Sequence, residues 1–143
     1  MSKVEIYIDG ASKGNPGPSG IGVVISANGK ALKNISRFIG HATNNIAEYT
    51  ALIYGLQEAL IMRLENINLK TDSQLLYRQI RKEYKVKHPN ITGLYEQALH
   101  LLSAFNQVSL ELIPREQNRG ADRLATSAIK QQLKKKTCCL IKK

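Results

Sequence analysis

The chain has 143 residues, 43% of them hydrophobic, enough for one domain with its own core and short for two. No apolar run reaches the roughly 18 residues that span a bilayer, and the opening MSKVEIYID lacks the basic-then-apolar layout of a secretion signal, so a soluble, cytoplasmic protein without a membrane partner is expected. The formal charge of +10 favours a polyanionic partner but is concentrated: six of the 21 basic residues lie from Lys130 onward, where no acid occurs, leaving 15 basic against 11 acidic residues, or +4, before them.

The segment KVEIYID alternates, with Val4, Ile6 and Ile8 on one face and Glu5, Tyr7 and Asp9 on the other, as a strand does. After a Gly/Pro loop, GIGVVISANGKALKNISRFIG holds two runs rich in β-branched residues around Asn28-Gly29, a strong hairpin signal, so the first three strands form an antiparallel meander. From Asn45 to about Met62 the pattern is helical, with Ile46, Tyr49, Ile53, Leu56 and Leu60 at three- and four-residue steps. NINLKTD then reads as a short strand, SQLLYRQIRK as a short helix and KVKHPN as a breaker. A second clear helix carries Ile91, Leu94, Tyr95, Ala98, Leu101, Leu102 and Phe105 on one face. QVSLELIP is a last strand stopped by Pro114, and NRGADRLATSAIKQQLKKK a closing helix with Ala121, Leu124, Ala125 and Ala128 inward. The order βββαβααβα requires crossovers, so the later strands should run parallel to the first in a mixed sheet covered by helices, an α/β fold.

Several chemistries are excluded. DGASKGNPGPSG lacks the spacing and the Lys-Ser/Thr of a phosphate-binding loop, and a strand rather than a helix follows it. His41, His88 and His100 have no metal-ligand spacing, and no serine or cysteine stands in a nucleophile elbow. Cys138 and Cys139 are adjacent, which suits neither a fold-closing disulfide nor a four-ligand zinc site. The tail KQQLKKKTCCLIKK reads equally as a nucleic-acid arm and as a solvated helix end.

The informative pattern is the acids at element junctions: Asp9 ending the first strand, Glu48 in the first turn of the long helix, Asp72 ending the fourth strand and Asp122 starting the last helix. Three have ordinary local uses. Glu48 would complete a capping box with Asn45, Asp72 would cap the helix beginning at Ser73, and Asp122 would complement a helix dipole. Asp9 has no helix to cap. If the first and fourth strands are parallel neighbours, Asp9 and Asp72 share one sheet edge. Four carboxylates gathered there repel one another unless a cation neutralises them, and an all-oxygen donor set suits Mg²⁺ or Mn²⁺. Two such ions about 4 Å apart activate a water and stabilise the leaving oxygen of a phosphodiester. In a basic chain this reads as a metal-dependent nuclease.

The ordered stretches YIDGASKGNPGPSGIGVVI, TNNIAEYTALIYGL, LKTDSQLL and PREQNRGADRLA resemble ribonuclease H of type 1, a likeness running from Val4 to about Gln132. The resemblance implies the ribonuclease H-like fold over residues 1–133, a five-stranded mixed sheet in the order 3-2-1-4-5 flanked by helices, with a basic tail at 134–143. It implies a monomeric endoribonuclease that hydrolyses the RNA strand of RNA/DNA hybrids with two Mg²⁺ or Mn²⁺ ions, leaving 5′-phosphate and 3′-hydroxyl ends. Carried over by motif, Asp9 would bridge both ions, Glu48 and Asp72 would complete one coordination shell, and Asp122 would hold the other. Asn15, Asn44, Asn45 and Gln74 fall in the set that reads the hybrid's minor groove and its 2′-hydroxyls.

Two departures stand out. PREQNRG has no histidine where well-known relatives carry one between the last strand and last helix, which makes Arg115 and Glu116 the candidates for part of its role. RQIRKEYKVKHPN is short where some relatives insert a basic loop, leaving Arg78, Arg81, Lys82, Lys85 and Lys87 as a reduced patch. The alternative is a non-catalytic hybrid-binding module on the same fold. Retention of all four carboxylates argues against it, because a pure binder gains nothing from clustered negative charge facing phosphate.

Overall fold

The computed structural model describes residues 4–141, with side chains as far as Lys135; the expectations that concern the side chains of residues 136–143, Cys138 and Cys139 among them, lie outside the described residues. Three strands, β1 (Val4–Ser12), β2 (Gly17–Ala27) and β3 (Lys30–Ala42), precede helix α1 (Asn44–Ile61). Strand β4 (Asn66–Thr71), helices α2 (Gln74–Ile80) and α3 (Pro89–Leu102), strand β5 (Gln107–Leu112) and helix α4 (Arg119–Ile141) follow, with a 3-10 turn at Arg115–Gln117. The strands form one sheet in the order β3-β2-β1-β4-β5. β1, β2 and β3 pair antiparallel, whereas β4 and β5 run parallel to β1. Element order, topology and fold class are those expected.

The β2–β3 connection is the Asn28-Gly29 turn, with φ of 53° and 79°, the left-handed pair that matches the twist of a two-residue hairpin. Along β1, Ile6 and Ile8 are fully buried, and alternation sends Tyr7 and Asp9 to the opposite face. Helix α1 lies on the Ile6 and Ile8 face, where Gly55 meets Ile6, Ile8 and Val23. Tyr49, Leu52 and Leu56 complete that layer with Ile67 and Leu69 of β4. From α3, Ile91 and Ala98 enter the same core, and Tyr95 meets Tyr49 edge to face at 6.5 Å. The Tyr49 hydroxyl donates to Gln79 Oε1 at 2.8 Å, a buried bond that fixes α2 against α1.

Helix α4 covers the other face. Its buried stripe is Ala121, Ala125, Ala128 and Ile129, so Leu124, expected inward, is only half-buried and Ile129 takes its place. Positions i, i+4, i+7 and i+8 form one stripe, and Leu124 lies at its margin. The stripe is small because α4 presses on bare backbone: a Cβ at Gly22 would stand 1.9 Å from the Ala121 carbonyl oxygen. Among the described residues no helix is long and apolar enough to cross a membrane.

Gly22→Ala should therefore push α4 off β2 and lower stability by about 1–3 kcal/mol, the usual cost of overpacking. Thermal denaturation of the variant checks this, with a melting temperature several degrees below wild type expected.

Candidate active site

The parallel register pairs Val4 with Ile67 and Tyr7 with Lys70, so Asp9 and Asp72, each two residues further on, reach the same rim of the sheet. Helix α1 brings Glu48 to that rim. Its N-cap is Thr43, whose side chain accepts from the Ile46 N–H at 3.2 Å. Glu48 then falls in the second turn, out of reach of the cap, and the capping box expected with Asn45 does not form. Gly10 permits the approach, since a Cβ there would lie 2.3 Å from the Ala47 carbonyl carbon. Asp72 does not cap α2 either; Ser73 does, accepting from the Leu76 N–H at 3.2 Å. Asp122 sits in the first turn of α4, where a negative charge complements the dipole.

Two of these acids are thus released from local duty and gathered. Asp9, Glu48 and Asp72 each offer a carboxylate oxygen, all within 4.8 Å of one another. Asp122 lies outside that triple, lines the same cleft and is close enough to Asp9 to help raise its pKa. Burial pushes Asp9 up to about 8, helped by the charge of Asp72 and by Asp122. Burial and the charges of Asp9 and Asp72 hold Glu48 well above the usual carboxylate range, against a hydrogen bond from the Gly10 backbone. Glu48 Oε2 is buried without a hydrogen-bond partner. A cluster of carboxylate oxygens with one orphaned among them fits a hard divalent cation, which would supply the missing positive charge and coordination.

The cluster forms part of a cleft of about 560 Å³ that Asn15, Asn44, Asn45 and Arg115 also line. Asn15 Oδ1 accepts from the Asn44 N–H at 3.0 Å, tying the β1–β2 loop to the start of α1. Asn45, two residues past the Thr43 cap, keeps a buried Oδ1 with no partner. Gln74 and Glu116 are exposed and stand outside the cleft lining. A groove of about 640 Å³ along β3, α1 and α4 is larger but lacks this chemistry: Glu58, its one acid, faces Lys33 at 3.7 Å.

Two features escape sequence reasoning. Arg78 and Arg81 are both held by Glu83, the latter at 2.7 Å, and both lie near the Tyr77 ring, so the basic patch reduces to Lys82, Lys85 and Lys87. Asn118, just before α4, has the look of an N-cap, yet its side chain is 1% exposed and turned inward. Its Nδ2 donates to the Ile8 carbonyl at 2.8 Å and to Asp72 Oδ2 at 3.3 Å. An Asn four residues before Asp122 was the available signal.

A family model described as reverse transcriptase-like matches residues 7–128. A bifunctional protein of Mycobacterium tuberculosis is 43% identical over 129 residues, covering 89% of this chain and 35% of its own length. Ribonuclease HI of Halobacterium salinarum is 39% identical over 128 residues, covering 89% of this chain and 64% of its own. The chain therefore spans about a third to two thirds of these relatives. Among solved structures, LC11-RNase H1, isolated from compost and crystallised with an RNA/DNA hybrid, has a TM-score of 0.87 at 39% identity, covering 92% of this chain and 99% of that one.

The raised carboxyls have a consequence for stability. An acid whose folded pKa lies above its unfolded one stabilises the fold below the unfolded pKa, and that stability is lost as pH rises through the folded value. Without divalent cations, the melting temperature should fall between about pH 4 and pH 8, the span set by Asp9. At pH 8.5 Asp9→Asn should melt roughly 5–10 °C higher than wild type, a relief of about 2 kcal/mol. Melting curves of both proteins across pH in chelator check this.

Proposed function

Because the chain belongs to the ribonuclease H type 1 family, we propose that it hydrolyses the RNA strand of RNA/DNA hybrids endonucleolytically in the cleft bounded by Asp9, Glu48, Asp72 and Asp122. One observation carries the proposal: Asp9, Glu48 and Asp72 converge within 4.8 Å on a rim where Glu48 keeps an unpartnered buried oxygen. Asp9 interacts with Glu48, Asp72 and Asp122 alike, which supports reading it as the ligand that two cations would share. Asp9, Glu48, Asp72 and Asp122 would hold Mg²⁺ or Mn²⁺ there, and the ions would supply an activated water and charge stabilisation at the leaving 3′ oxygen. In the hydrolysis the water oxygen bonds to phosphorus and gives up a proton to solvent while the P–O3′ bond breaks and the leaving oxygen takes a proton from solvent, giving 5′-phosphate and 3′-hydroxyl ends.

The remaining residues bind and orient. Asn15, Asn44 and Asn45 present amide donors and acceptors along the cleft, suited to 2′-hydroxyls that are donor and acceptor in one group. Gln74, exposed beside the rim, meets the hybrid only where it extends past the cleft. Arg115 is the cation at the cleft in place of a histidine: it holds phosphate by charge and donors but shuttles no proton. The proton that a histidine would carry must pass through solvent. Lys82, Lys85, Lys87 and the lysines that end α4 draw the backbone in without reading sequence.

Incubation with an RNA/DNA hybrid and Mg²⁺ or Mn²⁺ should yield 5′-phosphorylated fragments, and Asp9→Asn and Asp72→Asn should abolish them; cleavage surviving in both variants sinks the proposal. Hybrid binding without wild-type cleavage would make the chain a binding module. Arg115→Ala should lower turnover by about tenfold or more through a lost electrostatic contact, and Glu116→Ala far less. Removal of residues 134–143 should weaken hybrid binding and flatten its dependence on salt, by up to about 0.9 in log–log slope per lost phosphate contact. A salt slope equal to wild type would assign those residues to a solvated helix end.

A further inference from the structure

Every buried polar side chain must justify its desolvation, and several here do so through simple hydrogen bonds. Gln79 receives the Tyr49 hydroxyl, Ser19 bonds the Gly17 and Ala42 carbonyls, and Thr71 accepts from the Ser73 N–H. Asn118 differs. It spends its amide donor on two acceptors, one within β1 and one just beyond β4, while its own Oδ1 remains buried with no partner. The opposite assignment of the amide would face oxygen against the Ile8 carbonyl and the Asp72 carboxylate, so the contacts themselves fix its orientation.

The acceptors are significant in themselves. Ile8 immediately precedes Asp9, and Asp72 is bonded through its carboxylate. The Asn118 main-chain carbonyl in turn accepts the Asp122 N–H at 3.1 Å, opening α4. One residue therefore touches β1 immediately before Asp9, the carboxylate beyond β4 and the turn that carries the fourth acid. Its donor occupies one oxygen of Asp72 and so restricts the rotation of that carboxylate, which supplies an oxygen to the cluster with Asp9 and Glu48. A shorter hydroxyl offers one proton and serves one acceptor; an aspartate here would oppose Asp72. Keeping a half-satisfied amide makes sense if the double donation is what matters.

We propose that Asn118 is a positioning residue that sets the spacing and orientation of Asp9, Asp72 and Asp122, and thereby the affinity of the cluster for its divalent cation. This inference rests on the reading of the cluster as a cation-dependent nuclease centre. The contrasting role is a plain structural staple, which would lower stability and leave cation affinity alone.

Manganese titrations followed by thermal shift, without nucleic acid, separate the two. Asn118→Ala should raise the half-saturating Mn²⁺ concentration by about tenfold or more, the usual effect of removing a partner behind a metal ligand. Asn118→Ser, which keeps one donor, should fall between Ala and wild type, and carries the test if the alanine variant does not fold. Ile25→Val, in the core away from the rim, should lower the melting temperature with an unchanged Mn²⁺ midpoint. In hybrid cleavage the Asn118 variants should lose kcat with KM within about twofold, since no substrate contact is removed. Lowered melting temperatures with wild-type Mn²⁺ midpoints in both Asn118 variants overturn the inference while leaving the nuclease reading intact. A wild-type chain that neither binds Mn²⁺ nor cleaves overturns both.

Discussion

Mutual repulsion among carboxylates at one buried rim is the constraint on which the arrangement of this fold depends. Asp9 and Glu48 are almost fully buried, and each is driven towards its protonated form by desolvation and by its acidic neighbours. Nothing local repays this, because the caps that would employ Glu48 and Asp72 are made by Thr43 and Ser73 instead. The surrounding architecture holds the acids in place against their repulsion. Parallel pairing of β1 with β4 sets Asp9 beside Asp72, Gly10 lets α1 deliver Glu48, and Gly22 lets α4 deliver Asp122.

The same constraint explains how strength is distributed. The rim is polar and frustrated, whereas the layer behind it is a continuous apolar core of Ile6, Ile8, Val23, Leu52, Leu56 and Leu69, with Tyr49 locked to Gln79. Strained sites need rigid support, since a loose scaffold would relieve the repulsion by spreading the acids apart. The Glu5–Lys70–Glu111 row on the opposite side of β4 is a different case: Lys70 pairs with Glu5 at 2.6 Å and its charge is satisfied within the sheet. Glu5 and Glu111 thus have a cation between them, whereas Asp9, Glu48 and Asp72 gather with none.

Much of the fold was legible because its signals are local. Alternation in β1, the Asn28-Gly29 turn and the three- and four-residue steps of α1 and α3 each depend on neighbours in sequence, and all appear as expected except that α3 ends at Leu102, leaving Phe105 in the turn beyond it. Cap identities were not, since Thr43, Asn44 and Asn45 are all capable N-terminal residues and only the position at which the chain leaves β3 decides among them. The arginines at 78 and 81 looked free because Glu83 reaches them across a turn, where Lys82 has a φ of 65°. Asn118 was hidden for a related reason: an Asn before a helix has an ordinary use, and only the tertiary approach of β1 and Asp72 gives it another. The four acids were legible together and not singly, and Asp9 carried the inference because it alone lacked a helix to cap.

The charge of the whole chain and the charge of the cleft pull in opposite directions, and this sets an order of events. A net +10 draws a polyphosphate towards the protein, while the rim presents carboxylates to the phosphates it must hold. Arg115 offsets only part of that repulsion, being exposed and at the edge of the cleft. Protonation of Asp9 and Glu48 would also quiet the rim, but a protonated carboxyl gives up the lone pair that a cation needs. Cation and proton would therefore compete for the same oxygens, and on the proposed function productive binding of a phosphodiester would require the cation to win first. On the proposed function, a basic exterior around an acidic centre would ease a hybrid's approach and make its reaction conditional on the ion.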